Sequence, residues 1–246
     1  MVSEAVAVVS DGSNPRHGGR RIASVPMDLV LADYATMIHD LTGLRAHPLA
    51  VAARNAVHLA ASVRGFPVDI GMVFLTHTDP GRARVAQEVL RTVGVVPVVT
   101  DQDTAATILA AAVLATLARA DRTPSSSRVV IAGAEQLPEL RALLMVCGVG
   151  DIVSWNRTDA LGFPLRRITR SAHVVVDLLT EASGTADIPQ GPGGSVTITL
   201  DDPTCHLLAL PGLLAAMAHA PEPVLDVALC RACAVAPMTS TPQGSL

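Results

Sequence analysis

Apolar residues fall along this chain in two periods, short runs of strand type and longer stretches with a repeat of three to four, and the two alternate. Glu4–Ser10 (EAVAVVS) predicts a strand closed by the turn residues Asp11, Gly12, Ser13, Asn14 and Pro15. Met27–Leu41 has helical spacing, and Pro48–Val63 predicts a second helix. Val68–Leu75 is a continuous apolar run of the kind buried in a parallel sheet. Asp79 suits the N-cap of a helix from Pro80 to Thr92, and Val95–Val99 predicts the next strand, giving a βαβ unit.

A helix over Thr104–Ala120 leads into Asp121, Arg122, Thr123, Pro124 and three serines, where a domain boundary is expected. Beyond it, a strand at Arg128–Ile131, a helix at Leu137–Cys147 and a strand at Asp151–Trp155 predict a second βαβ unit. His173–Leu178 and Ser195–Leu200 predict further strands, and the Gly/Pro/Ser-rich segment 182–194 between them a mobile loop. A helical region follows, ending in a frayed tail. The pattern therefore predicts an α/β protein with domains at 1–121 and 122–236 and a flexible tail at 237–246.

Composition narrows the function. Half of the 246 residues are hydrophobic, enough for a sizeable core. A net charge of −4 without a basic stripe, and only 2% aromatic residues, argue against a nucleic-acid partner. The most apolar stretch, 104–118, is too short to cross a bilayer, and no signal peptide is evident, so a cytoplasmic protein without a membrane partner is expected. Every basic residue among the eighteen Lys+Arg is arginine, which excludes a lysine base, a Schiff base or a P-loop lysine. Cys147, Cys205, Cys230 and Cys233 do not form a disulfide framework. Cys230 and Cys233 fit a zinc or redox pair or two buried thiols, and their place inside a predicted helix favours the thiols. His39, His47, His58, His173 and His219 suggest only packing or surface roles.

Several segments, in order along residues 5–236, resemble bacterial malic enzymes. Val6–Gly12 resembles that family's VAVVTDG, Thr42–Pro48 its AGIDAWP, and Val96–Thr104 its IPVFHDDQH. Cys147–Val149 with the strand end Trp155–Arg157 resembles AGVKNIIVCDR, and Leu208–Gly212 resembles LAFPG. The resemblance implies two α/β domains with a cleft, the second Rossmann-like, and it places the start of this chain after the family's tyrosine-bearing N-terminal segment. It sets Tyr34 where the family has its lysine base. It sets Thr76 and His77 at a Glu-Asp pair of metal ligands and Gln102 at the third ligand. Ala132–Leu137 replaces the fingerprint glycines, and Asn156 stands for the ribose-binding acid. Neither a metal nor NAD is therefore expected as a cofactor.

The same alignment keeps Asp101, which the family has beside its lysine, and puts Cys205 and His206 where asparagines reach the substrate. Arg16 and Arg20 lie near its carboxylate-binding arginine, where a solvated turn is the plainer reading. Tyr34, His77, Asp101 and His206 are thus candidate acid–base groups. They suit a metal- and NAD-independent reaction on a small carboxylated or carbonyl-bearing molecule, in specialised bacterial metabolism. The alternative is a non-catalytic pseudoenzyme, a scaffold, regulator or partner subunit; a third reading is residual malic-type oxidoreduction. A small-molecule ligand, a homodimer and a protein partner covering the cleft are the expected associations.

Overall fold

The computed structural model describes residues 5–14, 16–17, 20–21, 26–67, 69–94, 96–179, 195–200, 205–219 and 227–239. It divides into two compact units, 1–104 with 207–226 and 105–206 with 227–246. Each is built on a four-stranded parallel sheet with helices, an α/β architecture of Rossmann type.

In the first unit β1 (Ala5–Ser10) lies at the centre, and all six of its residues are buried. A hairpin of β2 (Arg16–His17) and β3 (Arg20–Arg21) follows it, and α1 (Met27–Thr42) leads to β4 (Arg45–Ala50). Next come α2 (Ala56–Arg64), β5 (Ile70–Leu75), α3 (Pro80–Val93) and β6 (Val98–Thr100). The sheet order is β4-β1-β5-β6. Alternate residues of β1 face opposite layers. Ala5, Ala7 and Val9 join Leu59 and Val63 of α2 and Ala83, Ala86 and Leu90 of α3 in one apolar cluster. The helix α4 (Asp101–Arg119) carries the chain onward into the second unit.

There, β7 (Arg128–Ala132), α5 (Pro138–Val146), β8 (Asp151–Trp155), α6 (Leu165–Thr169), β9 (Val174–Asp177) and β10 (Val196–Thr199) form a sheet ordered β10-β9-β7-β8. Gly150 packs against the backbone of Ser125, where an added Cβ would come within 2.0 Å of the carbonyl oxygen. The helices α7 (Leu210–His219) and α8 (Val227–Thr239) follow; α7 packs on α1, and α8 on α5.

Three sequence expectations are corrected. Pro48–Ala50 belong to an edge strand paired with β1, and the helix starts after Asn55, whose side chain accepts the His58 N–H at 2.9 Å. Pro48 is tolerated because an edge strand needs no N–H on its open side. The helix expected from Thr104 starts three residues earlier, at Asp101, and Asp103 supports that start by accepting the Thr100 N–H at 2.8 Å. The last helix continues through Pro237 to Thr239. The expected mobile loop 182–194 and the tail beyond Thr239 lie outside the described residues.

Asp11, at the end of β1, is held by Arg82 of α3, whose guanidinium also donates to the Ala53 carbonyl at 3.2 Å. Burial pushes the Asp11 carboxyl up, but hydrogen bonds from Ser13 and Arg82 and the guanidinium charge outweigh it, so the carboxyl lies below its ordinary value. The stabilisation is therefore present above the unfolded-state value near ~4 and is lost as the pH falls through the folded value. Asp11→Asn is expected to cost about 1–3 kcal/mol at neutral pH. Thermal unfolding of both proteins should show the gap closing as the medium is made acidic; a gap independent of pH would contradict the assignment.

Candidate functional site

The connections leaving β1 and β5 run to opposite faces of the first sheet, since α2 and α3 share one apolar layer from which α1 is absent. The carboxyl ends of these neighbouring strands are thus a topological switch point, the position where open α/β sheets bind ligands. Ser10 and Asp11 end β1, Thr76 and His77 follow β5, and Asp101 follows β6. Tyr34 reaches this edge from α1, on a buried stripe with Leu31, Ala35 and Ile38.

His77 has φ of +49°, a left-handed conformation uncommon outside glycine. Its N–H donates to Asp101 Oδ2 at 2.9 Å. Its carbonyl accepts the Asn14 N–H at 3.1 Å and the Ser10 hydroxyl at 3.3 Å. Ser13 Oγ accepts the Asp79 N–H at 2.7 Å, so the loop after β1 is bonded along the loop after β5.

This backbone places the imidazole against Tyr34. The phenol oxygen and Nε2 share a hydrogen bond of 3.2 Å, and the rings stack with centroids 5.6 Å apart and planes 16° from parallel. Tyr34 is 8% exposed and His77 1%. Burial first, and then the Asp101 carboxylate, push the Tyr34 phenol well above its ordinary range; the Thr76 hydroxyl acts the other way. The phenol therefore remains protonated at neutral pH and donates to Nε2 when the imidazole carries its proton on Nδ1.

The structure thus brings together three of the four residues singled out from sequence, Tyr34, His77 and Asp101. His206 lies in a short 3-10 stretch, Cys205–Ala209, and its side chain is outside the described residues, as are those of Arg16 and Arg20. Sequence reasoning missed Ser10 and Asn14, which bind the His77 carbonyl, and Ser13, which accepts the Asp79 N–H. Their only signal was a cluster of turn residues directly after a buried strand.

At this edge Thr76, His77 and Gln102 supply a hydroxyl, an imidazole and an amide, where a hard divalent cation prefers several convergent carboxylates. Among the described residues no group of three or more His, Cys, Asp or Glu side chains is arranged to hold a metal.

The corresponding edge of the second unit does not suit a dinucleotide. The Glu135 N–H donates to Asn156 Oδ1 at 3.0 Å. The N–H groups of Gln136 and Leu137 bond within a 3-10 turn, and α5 opens with Pro138, which has none. These are the groups a pyrophosphate would use at a helix N-terminus. Gly133, with φ of +82°, lies so close to Leu178 and Leu179 that an added Cβ would meet them at 3.2 Å.

No protein-family model and no curated protein matches the chain. Solved structures do. The malic enzyme of Entamoeba histolytica superposes with a TM-score of 0.75 at 18% identity, over 96% of this chain and 62% of that one. The malic enzyme of Pyrococcus horikoshii gives 0.75 at 18% identity, over 98% and 70%. The NAD-dependent malic enzyme of Thermotoga maritima gives 0.69 at 15%, over 95% and 84%. The chain therefore spans less than two thirds of the Entamoeba enzyme, and the likeness establishes the fold.

Tyr34 is the single tyrosine of the chain, so tyrosinate absorbance reports it alone. In the native protein its ionisation is expected only above the ~10 of a free phenol, with the associated stability lost as pH rises further. Asp101→Asn keeps an acceptor for the His77 N–H and removes the charge, so it should lower the midpoint. An unchanged midpoint would show that the carboxylate does not act on the phenol.

Proposed function

We propose that the first unit, on a malic enzyme-like fold, performs a metal- and nucleotide-independent acid–base reaction on a small carboxylated or carbonyl-bearing molecule. The observation supporting this is the Tyr34–His77 hydrogen bond at the switch point, held by a strained backbone. A substrate carbonyl that replaces His77 as the partner of Tyr34 takes the phenolic proton. Nε2, released from that bond, accepts the proton from the carbon next to the carbonyl. Asp101 is a positioning residue that holds the His77 backbone and keeps the phenol neutral. His206 is proposed as a further contributor on sequence grounds alone.

Exchange of carbon-bound protons of pyruvate and larger 2-oxo acids in heavy water, followed by proton NMR, tests this reading. It should proceed with a chelator present and without nucleotide. Tyr34→Phe, which retains the stacked ring, and His77→Gln should each slow it by roughly 10²–10⁴-fold. Exchange no faster than in buffer, or unaffected by both substitutions, would overturn it. The second reading, a non-catalytic regulator or partner subunit, draws on the burial of both groups, which leaves little surface for a substrate to approach.

We infer also that the protein self-associates as a homodimer through the first unit. The support is a mean hydropathy of +0.42, together with Leu29 and Leu41 of α1, each 58% exposed. Light scattering at micromolar concentration should give a dimer mass that Leu29→Glu with Leu41→Glu reduces to a monomer; a monomeric native protein would refute it.

A further inference from the structure

Between β8 and α6 the chain forms a short loop whose tip is apolar and turned to solvent. Leu161 is fully exposed and Phe163 64% exposed, with Gly162 between them and Pro164 after them. The loop has a fixed shape. Asn156 and Asp159 cap each other reciprocally, and the Phe163 N–H donates to the Asp159 carbonyl at 2.8 Å. The Trp155 indole N–H donates to the Phe163 carbonyl at 2.7 Å, tying the tip to a buried ring at the strand end. A loop bound at these points cannot fold its own apolar side chains away, so their exposure is a standing feature of the surface.

Along the chain the charge on either side of the tip is one-sided, while the exposed Glu135 meets the base of the loop through its N–H to Asn156. Arg157 precedes it, and Arg166, Arg167 and Arg170 follow on and just after α6; all four are exposed. Within residues 155–172 the only acidic residue is Asp159, which serves the cap. The chain as a whole carries −4, so this cationic patch runs against the overall balance. Leu165 and Ile168 point the other way, packing against Val130, Ala172 and Val175, which anchors α6 to the sheet.

From this juxtaposition the geometry points to a peripheral membrane-docking surface: Leu161 and Phe163 enter the acyl boundary of an anionic bilayer, and the surrounding arginines bind its phosphate headgroups. An apolar insertion or a basic cluster alone holds a protein weakly, whereas the two together act as paired signals. The guanidinium fork suits phosphate oxygens. A second copy of the chain is a poorer occupant, because an isologous contact brings the same arginines face to face. The absence among the described residues of a helix able to cross a membrane does not bear on a loop that lies at its surface. The surface belongs to the second unit and is independent of the acid–base reading.

Co-sedimentation with vesicles tests it. The full chain should bind phosphatidylcholine vesicles containing about one third phosphatidylserine, bind pure phosphatidylcholine weakly, and release as salt is raised. Leu161→Asp with Phe163→Asp, at fully or largely exposed positions, should lower the apparent affinity at least ~10-fold with an unchanged thermal midpoint, and Arg166→Glu with Arg167→Glu should do the same. Emission of F163W should shift to the blue on mixing with the anionic vesicles. Failure to sediment with anionic vesicles, or equal sedimentation of the native and substituted proteins, overturns the proposal. Binding to soluble polyglutamate with no vesicle binding would assign the patch to an acidic protein instead. Loss of self-association in the Leu161/Phe163 variant, again without vesicle binding, would assign it to an interface between copies.

Discussion

After β5 the chain turns through His77 with a positive φ, and hydrogen bonds to its N–H and carbonyl hold that turn. A non-glycine residue in this region costs about 1–3 kcal/mol and persists only where its surroundings over-determine it. Here they do: the N–H is bound by the residue that opens α4, and the carbonyl by the loop that leaves β1. Those bonds join the ends of three parallel strands, and the imidazole meets Tyr34 because of them. The polar edge at the ends of these strands is thus held by its own backbone hydrogen bonds.

The two units apply one topology to opposite ends. In both, the first strand of the sheet lies between the second and the third, and so both have a switch point. In the first, that point collects a phenol, an imidazole, a carboxylate and two serines. In the second, Leu178 and Leu179 lie against Gly133, and Asn156 engages the amide of Glu135. The same architecture thus carries a polar edge in one unit and a packed, self-satisfied edge in the other.

Much of the architecture was legible because buried parallel strands are written as continuous apolar runs, and 70–75 and 129–132 are of that kind. Where an element lies at an edge, the code weakens. Arg45–Ala50 has no alternation to reveal it, and Pro48 reads equally well as the first residue of a helix; Asn55 was the true start signal. At the candidate site, residue types were legible but geometry was not. Nothing in the sequence around His77 announces a left-handed backbone, because that conformation is imposed by partners at Ser10, Asn14 and Asp101, far away along the chain. The loop tip at Leu161 was silent for a related reason: apolar residues normally face inward, and only the bonds to Asp159 and Trp155 turn these outward.

Neither compact unit is a continuous stretch of chain. The first unit is completed by residues 207–226, which include α7, the helix packed on α1, and the second unit is written almost entirely between its two pieces. A chain leaving the ribosome from its N-terminus therefore lacks the helix that packs on α1 while some hundred residues of the second unit are still being made, on the order of 5–20 residues per second. The sheet of the first unit can form early, but its final layer arrives last. A truncation at the apparent boundary near residue 121 would deprive the first unit of that layer permanently.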